Sequence, residues 1–330
     1  MNSYLASLDQ LSLQNAPRNG LVALDLFAGC GGLALGFEAA GIETVGFEFD
    51  KDAVATYNEN LTGTCFETYL TTDTDFPDAD LIIGGPPCQP FSVGGKQLGL
   101  ADSRDGFPVF LHAVESVKPR LCLFENVRGM MYKNKEYLAQ IVDKLESLGY
   151  EISYQLVKAV NYEVPQNRER LIVIGHMGGY EFPVPFDYKY TAGDALSDVA
   201  NIILDDHKLV TSSQDAYIKK YENASDCVNP RDLHMDRPAR TVTCRNLAGA
   251  TGDMHRIKLP DGRRKRLNVM EAARLQSFPD WFRFSGTQSS QFKPVGNAVP
   301  PLMSYHLAKS ISSYLKGEKT NSRNRQLSFL

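Results

Sequence analysis

The segment Leu21–Gly32, LVALDLFAGCGG, decides the fold. Its first seven residues form a largely apolar run that is typical of a buried strand, and the glycine-rich turn after it opens a helix that ends at Gly41. Glycines at a strand-to-helix turn let backbone amides approach a ligand at the helix N-terminus. The segment therefore predicts the first unit of a sheet of alternating strands and helices, with a ligand site at its turn.

The same alternation of strands and helices continues to residue 175. It predicts strands at Thr44–Phe49, Leu81–Gly85, Leu121–Glu125, Glu151–Val160 and Leu171–Gly175. This pattern indicates a doubly wound α/β sheet, mostly parallel, in which ligands lie at the carboxyl ends of the strands. The first twenty residues are polar, and we expect them to form a loose extension.

The pattern breaks after residue 175. Residues 176–263 are rich in Pro, Asp, Tyr and Asn, and short runs such as Arg240–Cys244 favour β-structure. Helical patterning returns after Leu267 and again at Leu302–Leu315. We therefore expect a second, smaller, irregular β-rich domain inserted before the last helices.

Composition excludes several classes of protein. The chain has 330 residues, enough for roughly two domains, and its 43% hydrophobic content is too high for a disordered chain. No apolar run is long enough to span a bilayer, and the N-terminus does not read as a signal peptide, so we expect a cytoplasmic protein. Six cysteines stand singly, which predicts reduced thiols and no metal site. The net charge of −4 does not suggest a nucleic-acid-binding protein, although a local basic patch can still bind one.

An acidic residue follows the glycine turn at an informative spacing. Glu48 ends the second predicted strand about twenty positions after Gly29, where nucleotide-binding βαβ units hold a ribose hydroxyl. Phe49 beside it can stack on a base. The turn matches neither GxGxxG nor GxxxxGK[ST], so a single-nucleoside cofactor is favoured over a dinucleotide or ATP.

A second group of residues suggests covalent chemistry. Cys88 stands among Pro86, Pro87 and Pro90 at the end of the third predicted strand, where core packing does not call for three prolines. We interpret Cys88 as a nucleophile that needs a nearby cation to ionise. The fourth strand brings Glu125 to the same edge as an acid or base. It is also compatible with a capping or salt-bridging carboxylate, and the arginines at 168 and 170 with either anion binding or plain surface charge.

Together these motifs resemble one family. DLFAGCGG, GGPPCQPFS, ENVRGM, QNRERLIVIG, RLNVMEAARLQSFPD and VGNAVPP occur in the order found in cytosine-C5 DNA methyltransferases, and the chain resembles a compact bacterial member. The resemblance covers roughly residues 21–175 and 264–310. It implies S-adenosyl-methionine as methyl donor, no metal, and a cytosine flipped out of duplex DNA as acceptor. It also implies a Rossmann-like catalytic domain at 1–183 and 288–330, and a target-recognition domain with hinge at 184–287.

The resemblance assigns roles by position. Cys88 would attack cytosine C6, Glu125 would hold ring N3 and the amino group, Arg170 would contact the base carbonyl, and Arg168 would support the pocket. The residues expected to bind the cofactor are Phe27, Ala28, Gly29, Gly32, Glu48, Phe49, Pro86, Asn297 and Val299. The acid near the adenine amino group does not align cleanly, which leaves Asp73 and Asp75 as candidates.

The resemblance also places DNA recognition in the second domain. The expected DNA contacts are Gln89, Ser92, Arg240, Arg245, Arg263, Arg264, Lys265 and Arg266. The run RRKR at 263–266 would bind phosphates beside the cleft. We expect a monomer that protects DNA alongside a separate restriction endonuclease, with no membrane contact. Two alternatives remain open: a tRNA cytosine-C5 methyltransferase on the same fold, and a catalytically silent DNA-binding paralogue.

Overall fold

The computed structural model describes residues 3–14, 16–88, 105–224, 231–249 and 253–318. The helices are α1 Ser3–Leu8, α2 Gly32–Ala39, α3 Lys51–Asn60, α4 Phe107–Val117, α5 Lys135–Ser147, α6 Ala192–Leu196, α7 Ser212–Ala224, α8 Cys244–Ala248, α9 Val269–Leu275, α10 Gln288–Asn297 and α11 Pro301–Leu315. The strands are β1 Val22–Leu26, β2 Glu43–Glu48, β3 Thr64–Glu67, β4 Leu81–Gly84, β5 Leu121–Val127, β6 Glu151–Lys158, β7 Gln166–Asn167, β8 Glu169–His176, β9 Ala239–Arg240, β10 Arg256–Lys258 and β11 Arg264–Arg266.

A seven-stranded sheet forms the centre of the fold. Its strand order is β3-β2-β1-β4-β5-β8-β6. The first five strands in this order pair in parallel, whereas β8 runs antiparallel to both β5 and β6. The predicted doubly wound α/β sheet is thereby confirmed.

Helices cover both faces of this sheet. Successive side chains of a strand point to opposite faces, and β1 shows the consequence: Ala23 joins one buried cluster, whereas Leu24 and Leu26 join the other. Residues of α2 and α11 fill the first cluster, and residues of α4 and α5 fill the second. The inner strands β1, β4, β5 and β8 are buried on both faces, which explains their nearly continuous apolar sequences, whereas the edge strands β3 and β6 are mostly exposed or half-buried.

The region 184–287 contains small sheets, but helices make up more of it than the composition predicted. Strands β10 and β11 pair antiparallel, and β9 pairs in parallel with β7 of the preceding region. The predicted strand Arg240–Cys244 is wrong in its second half, because Thr243 caps helix α8 through a reciprocal bond with Asn246. Apolar residues of α6 and α9 join the cluster that contains α2 and α11.

The prediction of a loose N-terminal extension is wrong for residues 3–11. These residues form α1 and a 3-10 turn, and Tyr4 and Leu11 are fully buried. The Tyr4 hydroxyl donates to the carbonyl of Arg274, and its ring meets that of Tyr190 edge-on at 5.1 Å. In the sequence, the polar residues between Tyr4 and Leu11 obscure the spacing of the apolar residues that pack against the core.

No helix among the described residues is both long enough and apolar enough to cross a bilayer.

We expect the substitution Tyr4→Ala to lower the free energy of unfolding by about 3–5 kcal/mol, because it leaves a cavity and an unpaired carbonyl. Urea denaturation measures the loss. Tyr217→Ala is the matched control, since this tyrosine is 60% exposed and its removal should change stability by no more than about 0.5 kcal/mol. Equal losses in the two variants would contradict the docking of α1.

Candidate active site

The predicted functional groups gather at one edge of the sheet. Because β1, β2, β4 and β5 are parallel, their carboxyl ends share that edge. The groups that follow these ends are the glycine turn after β1, Glu48 at the end of β2, the Cys88 segment after β4, and Glu125 near the end of β5.

The glycine turn and Glu48 form a single hydrogen-bonded unit. Gly29 N donates to Glu48 Oε2 over 3.0 Å, and the amides of Phe49 and Asp50 donate to Oε1 over 2.9 Å. Phe27 and Gly29 have positive φ angles of 58° and 54°, and a Cβ built on Gly29 meets no atom within 4 Å. The turn therefore faces open space. A carboxylate has about four acceptor positions, so Glu48 can accept further bonds from a hydroxyl pair such as that of a ribose.

An exposed aromatic side chain stands next to this unit. Phe49 is 61% exposed, and the Tyr69 ring lies 6.4 Å from it. Lys293 Nζ lies 5.8 Å from the centre of the Phe49 ring and 3.0 Å from the Asp50 carboxylate. A large apolar side chain held open to solvent beside a carboxylate fits a nucleoside base and its sugar.

The C-terminal segment returns to the glycine turn. A Cβ built on Gly32 would lie 2.6 Å from Val299 O, so only glycine allows this close approach. Asn297 precedes it at the end of α10, and Ala28, on the other side of the turn, is buried. The predicted cofactor residues of both chain ends are thus brought together.

The sequence missed one carboxylate at this edge. Asp73 and Asp75 are both exposed and lie in the segment that follows β3, several residues past its end. Glu67 is the last residue of β3 and pairs in register with Glu48 of β2. The signal that could have found Glu67 is its position at the carboxyl end of a strand, the rule that identified Glu48.

Cys88 is partly buried at the start of the segment after β4. It forms an isolated antiparallel bridge with Asp105. Burial and the Asp105 carboxylate raise the pKa of the Cys88 thiol to about 11, while a hydrogen bond with Asn134 opposes that shift. The predicted DNA contacts Gln89 and Ser92 lie outside the described residues.

Glu125 lies directly beneath the turn that leads to Cys88. A Cβ built on Gly85 would lie 3.6 Å from Glu125 Oε2. The Asn126 side chain donates to Pro86 O over 3.0 Å, which ties this turn to β5. The carboxylate and the segment that carries the thiol are therefore neighbours at the sheet edge.

Glu125 and Arg170 form a partly buried ion pair with spare hydrogen-bonding capacity. Arg170 Nε lies 2.7 Å from Glu125 Oε1, and each side chain is largely shielded from solvent. The N–H direction does not meet Oε1, so this buried oxygen accepts no hydrogen bond from the described residues. A buried acceptor without a donor is costly in isolation and is suited to a ligand that brings one.

Arg168 connects separate chain segments through buried hydrogen bonds. It is buried, and it donates to the carbonyls of Val242, Gly296 and Asn297 over 2.9–3.2 Å. Burial lowers the pKa of Arg168 to about 9. Its contacts connect β8 with the segment before α8 and with the end of α10, behind the Glu125–Arg170 pair.

A cavity opens on the outer side of this pair. Its volume is about 300 Å³, and its lining residues are Arg128, Lys158, Val160, Asn167, Arg168, Glu169, Arg170 and Thr241. The Glu169 carboxylate lies 2.9 Å from Arg128 and 3.7 Å from Lys158, which partly offsets two exposed cations. Within the described ranges, no three His, Cys, Asp or Glu side chains are grouped as metal ligands would be.

Comparison with known proteins decides the family. The model of the C-5 cytosine-specific DNA methylase family matches residues 21–313. The chain belongs to that family. It is 52% identical to Type II methyltransferase M.AplI of Arthrospira platensis over 96% of this chain and 93% of the relative. It is 33% identical to Type II methyltransferase M.FnuDI of Fusobacterium nucleatum over 92% and 98% of the two chains.

Solved structures agree on the fold. A putative DNA modification methyltransferase encoded within a prophage of E. coli superposes with a TM-score of 0.64 at 25% identity, covering 90% of this chain and 100% of that chain. The S. pombe Dnmt2 methyltransferase gives 0.68 at 20% identity over 90% and 99%. The chain is therefore a DNA (cytosine-5-)-methyltransferase on a Rossmann-like sheet, and the family implies S-adenosyl-methionine as methyl donor.

In this methyltransferase, the predicted phosphate-binding run RRKR is mostly internal. Lys265 is 0% exposed and donates to the carbonyls of Val199 and Ile202 and to Glu271 Oε1. Arg264 is buried and paired with Asp232 over 2.9 Å. The predicted phosphate contacts are therefore wrong for Arg264 and Lys265, because neither head group reaches the surface.

The other predicted cations have varied environments. Arg266 donates to the carbonyls of Leu247 and Gly249. Arg263 is exposed and pairs with Asp261 over 2.7 Å. Two further cations are Arg245, exposed on α8, and Arg240, partly exposed and 3.2 Å from Asp253.

Replacing Lys265 with Met should lower the free energy of unfolding by about 3–5 kcal/mol, because the buried Glu271 carboxylate loses its cation. Guanidinium denaturation gives the value. Arg263→Met serves as the control, with a change of no more than about 0.5 kcal/mol expected at this exposed pair. A small loss of stability for Lys265→Met would contradict the burial of Lys265 beside Glu271.

Proposed function

We propose that the enzyme methylates C5 of a cytosine extruded from a specific duplex DNA sequence, through a covalent bond between Cys88 and C6. The observation that carries this proposal is the buried Glu125 oxygen without a hydrogen-bond donor, set beside Arg170 and beneath the Cys88 turn. An amino group and a protonated ring nitrogen of cytosine are the donors that such an oxygen lacks. The relatives are Type II methyltransferases, which supports a protective role beside a restriction endonuclease.

The reaction begins with addition to the ring. The Cys88 thiolate forms an S–C6 bond, and the C5–C6 π electrons move toward C5 as N3 takes a proton that Glu125 holds in place. Arg170 contacts the base carbonyl, where negative charge collects. S-adenosyl-methionine, when bound, supplies an electrophilic methyl group on a sulfonium. After C5 is methylated, a water molecule or another base takes the C5 proton. The C5–H electrons then form the C5–C6 double bond, and the C6–S bond breaks to release Cys88 as a thiolate.

The base must leave the duplex for this addition to occur. A thiol cannot reach C6 inside a base-paired stack, so the enzyme extrudes the cytosine and stabilises it in a pocket. We assign to the extruded nucleotide and its phosphate the cavity beside Arg170, which Arg128 and Lys158 also line. The partly exposed Arg240 and the exposed Arg245 and Arg263 remain candidates for contacts with the duplex.

The cofactor residues follow from the fit of the glycine turn. Glu48 would hold the ribose hydroxyls, Phe49 would pack on the adenine, and Glu67 replaces Asp73 and Asp75 as our candidate for the adenine amino group because of its register with Glu48. The remaining candidates line the turn and the returning C-terminal segment: Phe27, Ala28, Gly29, Gly32, Pro86, Asn297 and Val299.

The substitution Cys88→Ser should abolish methyl transfer, because a hydroxyl is a far weaker nucleophile than a thiolate. The measurement is tritium transfer from labelled S-adenosyl-methionine to unmethylated mixed-sequence duplex DNA and to tRNA. Duplex DNA copied with 5-fluorocytosine should trap an adduct at Cys88, since fluorine cannot leave as a proton would. Label that persists in Cys88→Ser, or an adduct mapped to Cys122, would overturn the assignment, and label confined to tRNA would reassign the substrate.

We expect Glu48→Ala to weaken S-adenosyl-methionine binding by roughly 10- to 100-fold, the loss of about 1.5–3 kcal/mol for hydrogen bonds to a charged group. Calorimetric titration gives this affinity, and a filter assay gives the affinity for DNA, which should barely change. Glu43→Ala is the control, since Glu43 begins the same strand at its exposed end. Equal loss of both affinities in Glu48→Ala would contradict the ribose role.

A further inference from the structure

The two chain segments beside Cys88 are held together by backbone pairing. Cys88 and Asp105 form an antiparallel bridge, and Gly106 N donates to Pro87 O over 2.9 Å. A Cβ built on Gly106 would lie 2.5 Å from Pro87 Cδ, so this approach requires glycine. The place of the Cys88 backbone therefore depends on where Asp105 is fixed.

The Asp105 carboxylate is fixed by donors from two helices. Phe107 N, at the start of α4, donates to Oδ1 over 3.1 Å, and the Tyr137 hydroxyl of α5 donates to Oδ2. Both Asp105 and Tyr137 are buried, and the Tyr137 ring meets the Phe107 ring edge-on at 5.7 Å. The carboxylate is thus a buried junction between α4, α5 and the bridge to Cys88.

The same helix also contacts the sulfur. Asn134, the N-cap residue of α5, opposes the rise in the pKa of the Cys88 thiol through a side-chain hydrogen-bonding interaction. A helix N-terminus favours a nearby anion, so this end of α5 is suited to a thiolate. Among the described residues, the ionisable group that acts on the thiol is Asp105, just before α4, and the thiol in turn helps to raise the pKa of Tyr137 on α5.

We propose that Asp105 and Tyr137 are positioning residues for the nucleophile: they fix Cys88 through the bridge, and the Tyr137 hydroxyl offsets the negative charge that Asp105 places beside the sulfur. The proposal rests on the proposed role of Cys88. Tyr137 lies in buried, apolar surroundings, where a phenylalanine would fill nearly the same volume. Packing alone therefore does not require its hydroxyl, and the proposal gives that hydroxyl a function.

Two substitutions should act on the thiol with opposite sign. Asp105→Asn removes a negative charge and should lower the pKa of Cys88 from about 11. Tyr137→Phe removes the hydroxyl that donates to the Asp105 carboxylate and should therefore raise the pKa of Cys88. In the double variant the tyrosine effect should disappear, because it is transmitted through the carboxylate.

The measurement is the rate at which iodoacetamide alkylates Cys88, read by peptide mass spectrometry between about pH 7 and pH 10, since the thiolate is the reacting form. Tyr150→Phe is the matched control: Tyr150 is also buried and donates its hydroxyl, over 2.7 Å, to Pro119 O. It should lose stability without moving the alkylation profile. Profiles of Tyr137→Phe and Tyr150→Phe that coincide, or shifts of Asp105→Asn and Tyr137→Phe in the same direction, would overturn the proposal.

Turnover gives a second readout. Tyr137→Phe should lower kcat for methyl transfer to mixed-sequence duplex DNA by about 10- to 100-fold, as expected when a reacting group is displaced by about 1 Å. Its affinity for S-adenosyl-methionine should equal that of the unsubstituted enzyme, and a kcat equal to that of Tyr150→Phe would count against positioning. Trapping on 5-fluorocytosine DNA separates the two ideas: no Cys88 adduct in the unsubstituted enzyme refutes the proposed function, whereas an adduct that forms equally fast in Tyr137→Phe refutes only the positioning role.

Discussion

Parallel pairing of β1, β2, β4 and β5 is the constraint on which the rest of the structure depends. It brings four strand ends, far apart in sequence, to one edge of the sheet. Because side chains alternate between faces, a shift of one residue in any pairing would turn the end residues away from the edge site. The two buried clusters oppose such a shift, since it would exchange the residues of the two faces and disrupt the packing of both clusters.

The antiparallel direction of β8 brings Arg170 to the same edge of the sheet. Arg170 stands near the beginning of its strand, and only a strand of reversed direction places its beginning at the edge where the parallel strands end. In the β5–β8 register, Glu125 faces Ile172, so Arg170 is its diagonal neighbour. The ion pair therefore follows from strand direction. Its geometry leaves Glu125 Oε1 without a hydrogen-bond donor among the described residues.

Sequence reasoning worked where one local signal dominated. Six of the seven strands of the central sheet follow from apolar runs and the turn residues after them, whereas β3, a short strand with mostly exposed residues, was not predicted. It failed where distant contacts decide. Tyr4 is buried because α9 and the 188–190 segment, both distant in sequence, pack against it. In the sequence, Lys265 has the pattern of a surface charge. In the fold, its ammonium group donates to the carbonyls of Val199 and Ile202 and to the Glu271 carboxylate. The pairing of Glu67 with Glu48 is likewise a property of the sheet and not of the local sequence.

The neutral state of the thiol fits the proposed chemistry. Burial and the Asp105 carboxylate raise the pKa of the Cys88 thiol, which favours the neutral form near neutral pH. A thiol held neutral is slow to oxidise and slow to react with stray electrophiles. In the proposed reaction Cys88 loses its proton before the S–C6 bond forms. The N-terminal end of α5 favours the resulting thiolate, and Arg170 would stabilise the charge that then collects in the ring. The surroundings of Cys88 and the Glu125–Arg170 pair are then two parts of one proposed arrangement: the first sets how readily the thiolate forms, and the second stabilises charge in the ring.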